Sequence, residues 1–131
     1  MSATSRSAGP ISRVTVLTNP QAGHGNAPHA AEVAVARFQQ LGVDCVCIVA
    51  DVRPEGLKDA VQGARVMGFS GLIVTMPDKT GILQYLDELS PAAELMGAVN
   101  TVVRDGDRLI GHNTDGAGFM RAVALAGVDV I

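Results

Sequence analysis

The sequence predicts a single α/β domain, a three-layer α/β/α sandwich with a mostly parallel sheet and an antiparallel hairpin over residues 98–112. Two observations lead to this fold class. Short apolar, β-branched segments alternate with segments of helical periodicity, which is typical of right-handed strand–helix–strand crossovers. The last two strand-like segments are instead joined through Asp105-Gly106, a dipeptide that favours a tight hairpin turn.

The first half of the chain predicts three strands and two helices in alternation. The second strand is apolar on both faces, which favours a strand covered from both sides. The helices end at Gly42 and Gly68, since glycine accepts the left-handed backbone conformation found after helices. In order, the elements are a strand at 14–18, a helix beginning at Ala27 or Pro28, a strand at 43–50, a helix opened by Pro54 and a strand at 71–75.

The second half predicts two helices, the hairpin and a last helix. After Lys79, apolar residues recur at helical spacing: Ile82, Leu86 and Leu89. Ser90-Pro91 is typical of a helix start and opens a short helix to about Met96. The hairpin strands are 98–104 and 107–112. The last helix begins at Thr114 or Asp115 and ends at Gly127, with one expected buried face: Phe119, Ala122, Val123 and Ala126.

Composition excludes several classes of protein. With 131 residues, 47% of them hydrophobic, the chain can bury one core. Its formal net charge of -3 offers no basic surface for nucleic acid. No apolar run is long enough for a membrane span. We expect residues 1–12 to be a disordered leader and residues 13–131 to form the domain.

Cys45 and Cys47 stand two apart in a strand-like segment, so they would point to the same face. This favours two buried thiols over a disulfide or a redox pair. Unpaired thiols and the absence of a secretion signal indicate a reducing, cytoplasmic setting.

Polar residues collect where the predicted strands end. Ligands of open α/β sheets bind outside the carboxyl ends of the parallel strands, and the residues expected there are Asn19, the loop 24–26, Thr75, Lys79, Asn100 and 113–115. An ammonium and a carboxylate brought together, such as Lys79 and Asp115, could share a proton with a substrate hydroxyl. The alternative is that each residue is only a helix cap or a solvated turn residue.

No cofactor or metal motif is complete. Gly23-His24-Gly25 and Gly116-Ala117-Gly118 both lack the third glycine of G-x-G-x-x-G, and the P-loop pattern is absent. The three histidines have no metal-ligand spacing. The sequence therefore predicts no cofactor and no metal in this chain.

Three motifs resemble the substrate-binding half of shikimate dehydrogenases: VTMPDK (74–79), GAVNTVV (97–103) and GHNTDGAGF (111–119). The similarity runs from about residue 51 to the end of the chain. It implies an oxidoreductase family that uses NADP, with Lys79 and Asp115 as the catalytic pair and Thr75 and Asn100 as substrate contacts.

The chain also departs from that family. The segment NPQAGHGNAPH contains no serine where the family has two that bind the substrate carboxylate. Ile73 replaces an asparagine, and Asp78 replaces a histidine or aromatic residue; its carboxylate would repel a carboxylate substrate and could pair with Lys79. The family continues beyond GVDVI into its NADP-binding domain. We therefore expect a catalytically silent domain with a vestigial Lys79–Asp115 pair.

Residues 13–49 resemble something different, the first strand–helix–strand segment of bacterial diacylglycerol and lipid kinases, through the NP-x-x-G-x-G loop. The sequence thus predicts an engineered chimera, with a lipid-kinase-like part over 13–50 and a dehydrogenase-like part over 51–131. Two further hypotheses stay open. One is a module that binds a polyol acid weakly, and the other is a regulatory protein that binds a nucleotide at this loop. A homodimer is also left open.

Overall fold

The structure is a computed structural model that describes residues 13–17 and 27–129. Its strands are β1 (Arg13–Leu17), β2 (Val46–Ala50), β3 (Gly71–Val74), β4 (Glu88–Leu89), β5 (Thr101–Asp105) and β6 (Arg108–His112). Its helices are α1 (Ala27–Gln40), α2 (Leu57–Val66), α3 (Asp78–Gly81), α4 (Pro91–Met96) and α5 (Asp115–Leu125), with short 3-10 turns at Pro54–Gly56 and Ile82–Tyr85.

The strands form a six-stranded mixed sheet in the order β2-β1-β3-β5-β6-β4. β1 runs parallel to β2 and β3, and β4 runs parallel to β6. β5 is antiparallel to both of its neighbours, β3 and β6. The predicted α/β fold with a mostly parallel sheet and one hairpin is therefore confirmed.

The hairpin turn lies one residue later than predicted. Asp105 and Arg108 are directly paired, so the loop is Gly106-Asp107. Gly106 has a φ of 61°, a left-handed conformation that glycine adopts without strain.

Helices α1 and α2 cover opposite faces of the sheet. Because side chains alternate along a strand, Cys47 and Val49 of β2 lie on one face of the sheet and Ala50 lies on the other. Cys47 and Val49 line a groove with α1, whereas Ala50 packs against the core that α2 helps to form. This is the three-layer arrangement that the alternating pattern predicts.

The main core lies between α2 and the middle of the sheet. Its buried residues come from α2, three strands and the segments that connect them: Leu57, Val61, Ala64, Leu72, Val74, Ile82, Ala93, Val99, Val102 and Leu109. All are aliphatic, so dense packing depends on how branched side chains interdigitate.

The prediction that β2 is covered on both faces is wrong. β2 is an edge strand and begins at Val46, with Val46 59% and Ile48 46% exposed. Apolar composition alone cannot distinguish an edge strand from a central one. Cys45 is buried just before the strand and Cys47 is half-buried within it, and both thiols are free.

The predicted helix through Leu86 and Leu89 is also wrong beyond Tyr85. After Tyr85 the chain is extended and forms β4, because the polar groups of this segment form hydrogen bonds with β6. Asp87 N donates to Leu109 O at 3.0 Å, and Leu109 N donates to the Asp87 Oδ2 carboxylate oxygen at 2.7 Å. Ser90, before Pro91, is extended, and its Oγ accepts from Ala93 N to cap α4 as predicted.

Helix α5 begins and ends as predicted, but its apolar face is not buried. Of the predicted buried face, Phe119 is 67% exposed, Ala122 and Ala126 are also exposed, and Val123 is half-buried. Within the described part of the chain, we find no helix with the length and apolar character needed to cross a bilayer. The predicted leader, Asn19 and the loop 24–26 lie outside the described residues.

Candidate functional site

The directions of the strands bring most of the predicted site residues to one edge of the sheet. Thr75 follows β3, and Asp115 follows β6, which runs in the same direction as β3. Because β5 runs the opposite way, its first residues start at this edge. Asn100, predicted to lie within the hairpin strand, instead directly precedes it.

Lys79 approaches the edge from α3, which follows β3 after a cis Met76–Pro77 peptide bond. Its carbonyl oxygen accepts from Val99 N at 2.8 Å, which fixes α3 against the segment before β5. Its Nζ donates to Asp115 Oδ2 at 2.7 Å. The two side chains are 23% and 49% exposed, so the pair stands at an opening to solvent.

Asp115 is held in place from several directions. Its other carboxylate oxygen, Oδ1, accepts from Asn100 Nδ2 at 3.0 Å. Its backbone N–H donates to Asn113 Oδ1 at 2.9 Å. Asn113 is buried, and its Nδ2 donates to Ala98 O at 3.0 Å. The turn before α5 is thereby tied to the segment before β5.

Asn100 uses its side-chain hydrogen-bonding groups within the protein. Besides Asp115, its amide donates to Thr114 Oγ1 at 2.9 Å. Its Oδ1 accepts from Thr114 N and from Thr101 Oγ1, each at 3.1 Å. Its amide can donate two hydrogen bonds and accept two, so this arrangement positions Asp115. A substrate contact by Asn100 stays a prediction.

The charges of the pair support proton transfer. The hydrogen bond from Lys79 is the main cause that lowers the pKa of Asp115, with smaller contributions from the Lys79 charge and the Asn100 amide. Burial acts in the opposite direction. A ligand hydroxyl that lies beside both groups could donate a hydrogen bond to the ionised carboxylate and accept one from the ammonium, the arrangement that proton transfer requires.

Asp78 does not form the ion pair with Lys79 that the sequence suggested, since Lys79 turns to Asp115. Asp78 is 1% exposed, and neither carboxylate oxygen has a hydrogen-bond partner. Burial, and secondarily the nearby Asp51 carboxylate, raise the pKa of Asp78. A buried carboxyl next in sequence to Lys79 is thus left without a hydrogen-bond partner.

The described residues do not fit a metal or a dinucleotide. Among residues 13–17 and 27–129, no three or more His, Cys, Asp or Glu side chains are grouped to hold a metal ion. A dinucleotide phosphate needs a glycine-rich turn that opens a helix. Helix α5, which follows β6, begins instead with the Asp115 carboxylate, already bonded to Lys79.

The sequence placed Asn113 and Thr114 at this edge but did not predict their roles in holding the site. The run 112–115 marked a polar cluster, but sequence spacing could not show that Asn113 is buried or that Thr114 forms a hydrogen bond with Asn100.

Thr75, which the sequence also predicted at this edge, is half-buried there, and its carbonyl oxygen accepts a hydrogen bond from Asp78 N at 3.0 Å.

The chain is thus a small α/β domain with a mixed sheet and a Lys–Asp pair at the carboxyl edge of that sheet. The family model described as "Shikimate dehydrogenase substrate binding domain" matches residues 23–102, more than half of the chain. The chain belongs to this family. The match includes residues 23–49, part of the segment for which the sequence predicted a lipid-kinase origin.

Known proteins of the family are similar across most of the chain. A shikimate dehydrogenase (NADP(+)) of Listeria monocytogenes is 56% identical over 94 residues, 72% of this chain and 32% of that protein. A crystal structure of the Listeria monocytogenes shikimate 5-dehydrogenase with shikimate and NAD has a TM-score of 0.79 and 47% identity, covering 92% of this chain and 40% of that one. The ligand-free 5-ketofructose reductase of Gluconobacter has a TM-score of 0.74 and 36% identity, covering 89% and 40%. The chain spans about a third of the length of the curated relatives.

Proposed function

We propose that these residues form a domain that binds a polyhydroxylated ligand at the carboxyl edge of the sheet, where Lys79 and Asp115 hold one ligand hydroxyl. The 2.7 Å contact between Lys79 Nζ and Asp115 Oδ2 carries this proposal. Such a pair offers one donor and one acceptor to a hydroxyl, which needs both. Thr75 lies at the same edge as a candidate further contact.

The relatives support a hydroxyl-bearing or keto ligand without fixing its charge. Shikimate carries a carboxylate, whereas the ketofructose named for the Gluconobacter relative is a neutral keto sugar. What they share is a carbon that alternates between hydroxyl and carbonyl. The Lys79–Asp115 pair suits that common feature.

We further propose that these residues alone transfer no hydride. Hydride transfer requires a nicotinamide placed against the substrate carbon. The glycine pairs at 23–25 and 116–118 complete no dinucleotide motif. Incubating the chain with shikimate and NADP tests this by absorbance, and reduction of NADP above the rate without protein would contradict it.

The origin of the first strand–helix–strand unit belongs to the same proposal. Because the family match begins at residue 23 and so includes α1 and β2, we favour descent of these elements from the dehydrogenase family over a graft. A chimera, a cytoplasmic location and a homodimer stay predictions. A nucleotide site at the NP-x-x-G-x-G loop also stays a prediction, since that loop lies outside the described residues.

Calorimetric titration with shikimate tests the binding proposal. We expect binding in the millimolar range for the unaltered chain and a loss of about tenfold or more for Lys79→Met or Asp115→Asn, since each removes a charge-assisted hydrogen bond. Lys58→Met and Asp59→Asn change the same residue types on the exposed side of α2 and should bind as the unaltered chain does. Equal binding by all five proteins would contradict the proposal.

A further inference from the structure

We propose that strand β2 forms the interface of a homodimer, in which the β2 strands of two copies pair antiparallel about a two-fold axis and join their six-stranded sheets into one continuous sheet. This surface is separate from the Lys79–Asp115 pair, so the inference does not depend on the proposed function. It follows from a contrast between the two edges of the sheet.

The free side of β2 lacks the features that keep edge strands from pairing. β2 pairs with β1 along its whole length in a continuous register, and within the described part of the chain no strand pairs with its other side. Its sequence, VCIVA, contains no charged residue and no proline. Val46 and Ile48 expose about half of their apolar surface. An unprotected edge of this kind is a template for pairing with a further strand.

The opposite edge, strand β4, is protected. It is only two residues long, and Glu88 within it forms an ion pair with Arg108. The carboxylate of Asp87, just before it, accepts hydrogen bonds from Arg65 and from the backbone of Leu109. Pairing of β2 with β4 of another copy would also repeat without closing, whereas pairing of β2 with itself closes at two copies. The strand that fits the free edge of β2 is therefore a second β2.

Helix α1 is placed to extend this interface. A crossover helix lies over the two strands that it connects, here β1 and β2. With neighbouring strands about 4.8 Å apart, a two-fold axis beside β2 sets the α1 helices of the two copies about 10 Å apart, the spacing of packed helices. A groove of about 390 Å³ between α1 and β2, with Cys47 and Val49 in its wall, borders the same edge. The second copy would cover this groove.

The residues of α1 that line the groove complement themselves. Glu32, Ala36 and Gln39 are exposed and share this face of the helix. The two-fold axis makes the α1 helices antiparallel, and a crossing at Ala36 brings Glu32 of one copy level with Gln39 of the other. The Gln39 amide can then donate a hydrogen bond to the Glu32 carboxylate. The small side chain of Ala36 allows the helices to approach closely.

The charges at the ends of β2 do not oppose the pairing. Asp44 precedes the strand, Asp51 and Arg53 follow it, and all three are exposed. In the antiparallel arrangement, Asp44 of one copy approaches both the acid and the base of the other. Their effects on it are opposite in sign and are screened by solvent and salt.

Sedimentation equilibrium from about 1 to 200 µM protein tests this inference. We expect the unaltered chain to reach the mass of two 13.5 kDa chains. Ile48→Lys places a charge on the free edge and should raise the dissociation constant of the dimer about tenfold or more. Val103→Lys is the matched control, because Val103 is 44% exposed against 46% for Ile48 but lies on β5, which is paired on both sides. It should leave the dissociation constant unchanged.

A second variant changes the helix and leaves the strand intact. Ala36 is exposed in a single copy, so Ala36→Arg should fold normally, as circular dichroism would show, and weaken the dimer about tenfold or more. Ala122→Arg makes the same change at an exposed position of α5 and should not weaken it. If Ile48→Lys does not fold, Ala36→Arg and its control decide the outcome.

An unaltered chain that stays monomeric over this concentration range would overturn the inference. So would assemblies larger than a dimer, because pairing of β2 with itself closes at two copies. A dimer that either folded variant, Ile48→Lys or Ala36→Arg, leaves intact would overturn it as well, and so would equal weakening by a variant and its matched control.

Discussion

At the scale of single residues, Asp115 and Asp78 are two carboxyls whose surroundings act in opposite directions. Asp115 accepts hydrogen bonds from Lys79 and Asn100, which favour its charged form. Asp78 has no partner, and its burial favours the neutral form. The same residue type thus gives an ionised group at the opening and a destabilising group beneath it.

The pKa of Asp115 should depend on Lys79. Since the hydrogen bond from Lys79 is the largest cause that lowers it, Lys79→Met should raise the pKa of Asp115 toward the ordinary carboxyl value. The stability that the pair supplies is present above that value and is lost as the pH falls through the lowered pKa. Titration of the Asp115 carboxyl carbon by NMR measures this shift. An unchanged pKa in Lys79→Met, or an equal rise in Lys58→Met, would contradict it.

Asp78→Asn should stabilise the fold at neutral pH by about 1 kcal/mol, because the amide stays neutral where ionisation of the buried, unpartnered carboxyl costs free energy. Burial raises the pKa of Asp78, so the folded state binds this proton more tightly than the unfolded state. Stability from this group is present below the ordinary carboxyl pKa and is lost as the pH rises through the raised one.

Urea unfolding of Asp78→Asn and the unaltered chain, at neutral pH and at about pH 3.5, measures this difference. The advantage of the variant should be present at neutral pH and shrink at the acid pH. Asp59→Asn, which removes an exposed carboxylate from the first turn of α2, should not be more stable than the unaltered chain at neutral pH. A variant that is less stable than the unaltered chain at neutral pH would contradict the assignment of a destabilising charge.

At the scale of elements, local sequence signals determined where helices begin and end, but not which faces they bury. Ser90-Pro91 places the start of α4, and Gly42 and Gly68, with φ of 74° and 73°, follow α1 and α2 as predicted. The errors concern β2, β4 and α5. In each, the outcome depends on a neighbour in the fold: β2 lies at an edge, β4 pairs with β6, and α5 leaves Phe119 exposed.

For the site as well, the sequence predicted some features, whereas others depend on neighbours in the fold. Sequence motifs identified Lys79 and Asp115 as candidates, and the strand directions bring them together. The fixation of Asp115 by Asn113 and Asn100 could not be predicted, because it depends on how the segment before β5 lies against the turn before α5. Hydrogen-bond geometry across distant segments is not encoded in local spacing.

The packing around strand β6 gives a prediction at the scale of elements. A Cβ at Gly111 would stand 2.6 Å from Leu86 Cδ1 and 2.7 Å from Val99 Cγ2. Gly111→Ala should therefore destabilise the fold by about 1–3 kcal/mol through overpacking. Gly118→Ala, in α5 where the added Cβ meets open space, should stabilise it by about 0.5–1 kcal/mol. Thermal unfolding of both variants checks the opposite signs, and equal effects would contradict this account of the packing.

At the scale of the whole molecule, the site exists because one strand runs against the others. β5 is antiparallel to β3 and β6, so the start of β5 and the ends of β3 and β6 meet at a single edge. Lys79, Asn100 and Asp115 come from three separate segments and meet only there. The fold itself, more than any one motif, brings the reactive pair together.

We propose above that this edge binds a polyhydroxylated ligand through the Lys79–Asp115 pair. An NMR titration of the isotope-labelled chain with shikimate, followed residue by residue, tests this binding. We expect saturable shifts centred on Lys79, Asn100, Thr114 and Asp115, and their loss in Lys79→Met. Shifts centred instead on the groove between α1 and β2, or no shifts at all, would contradict it.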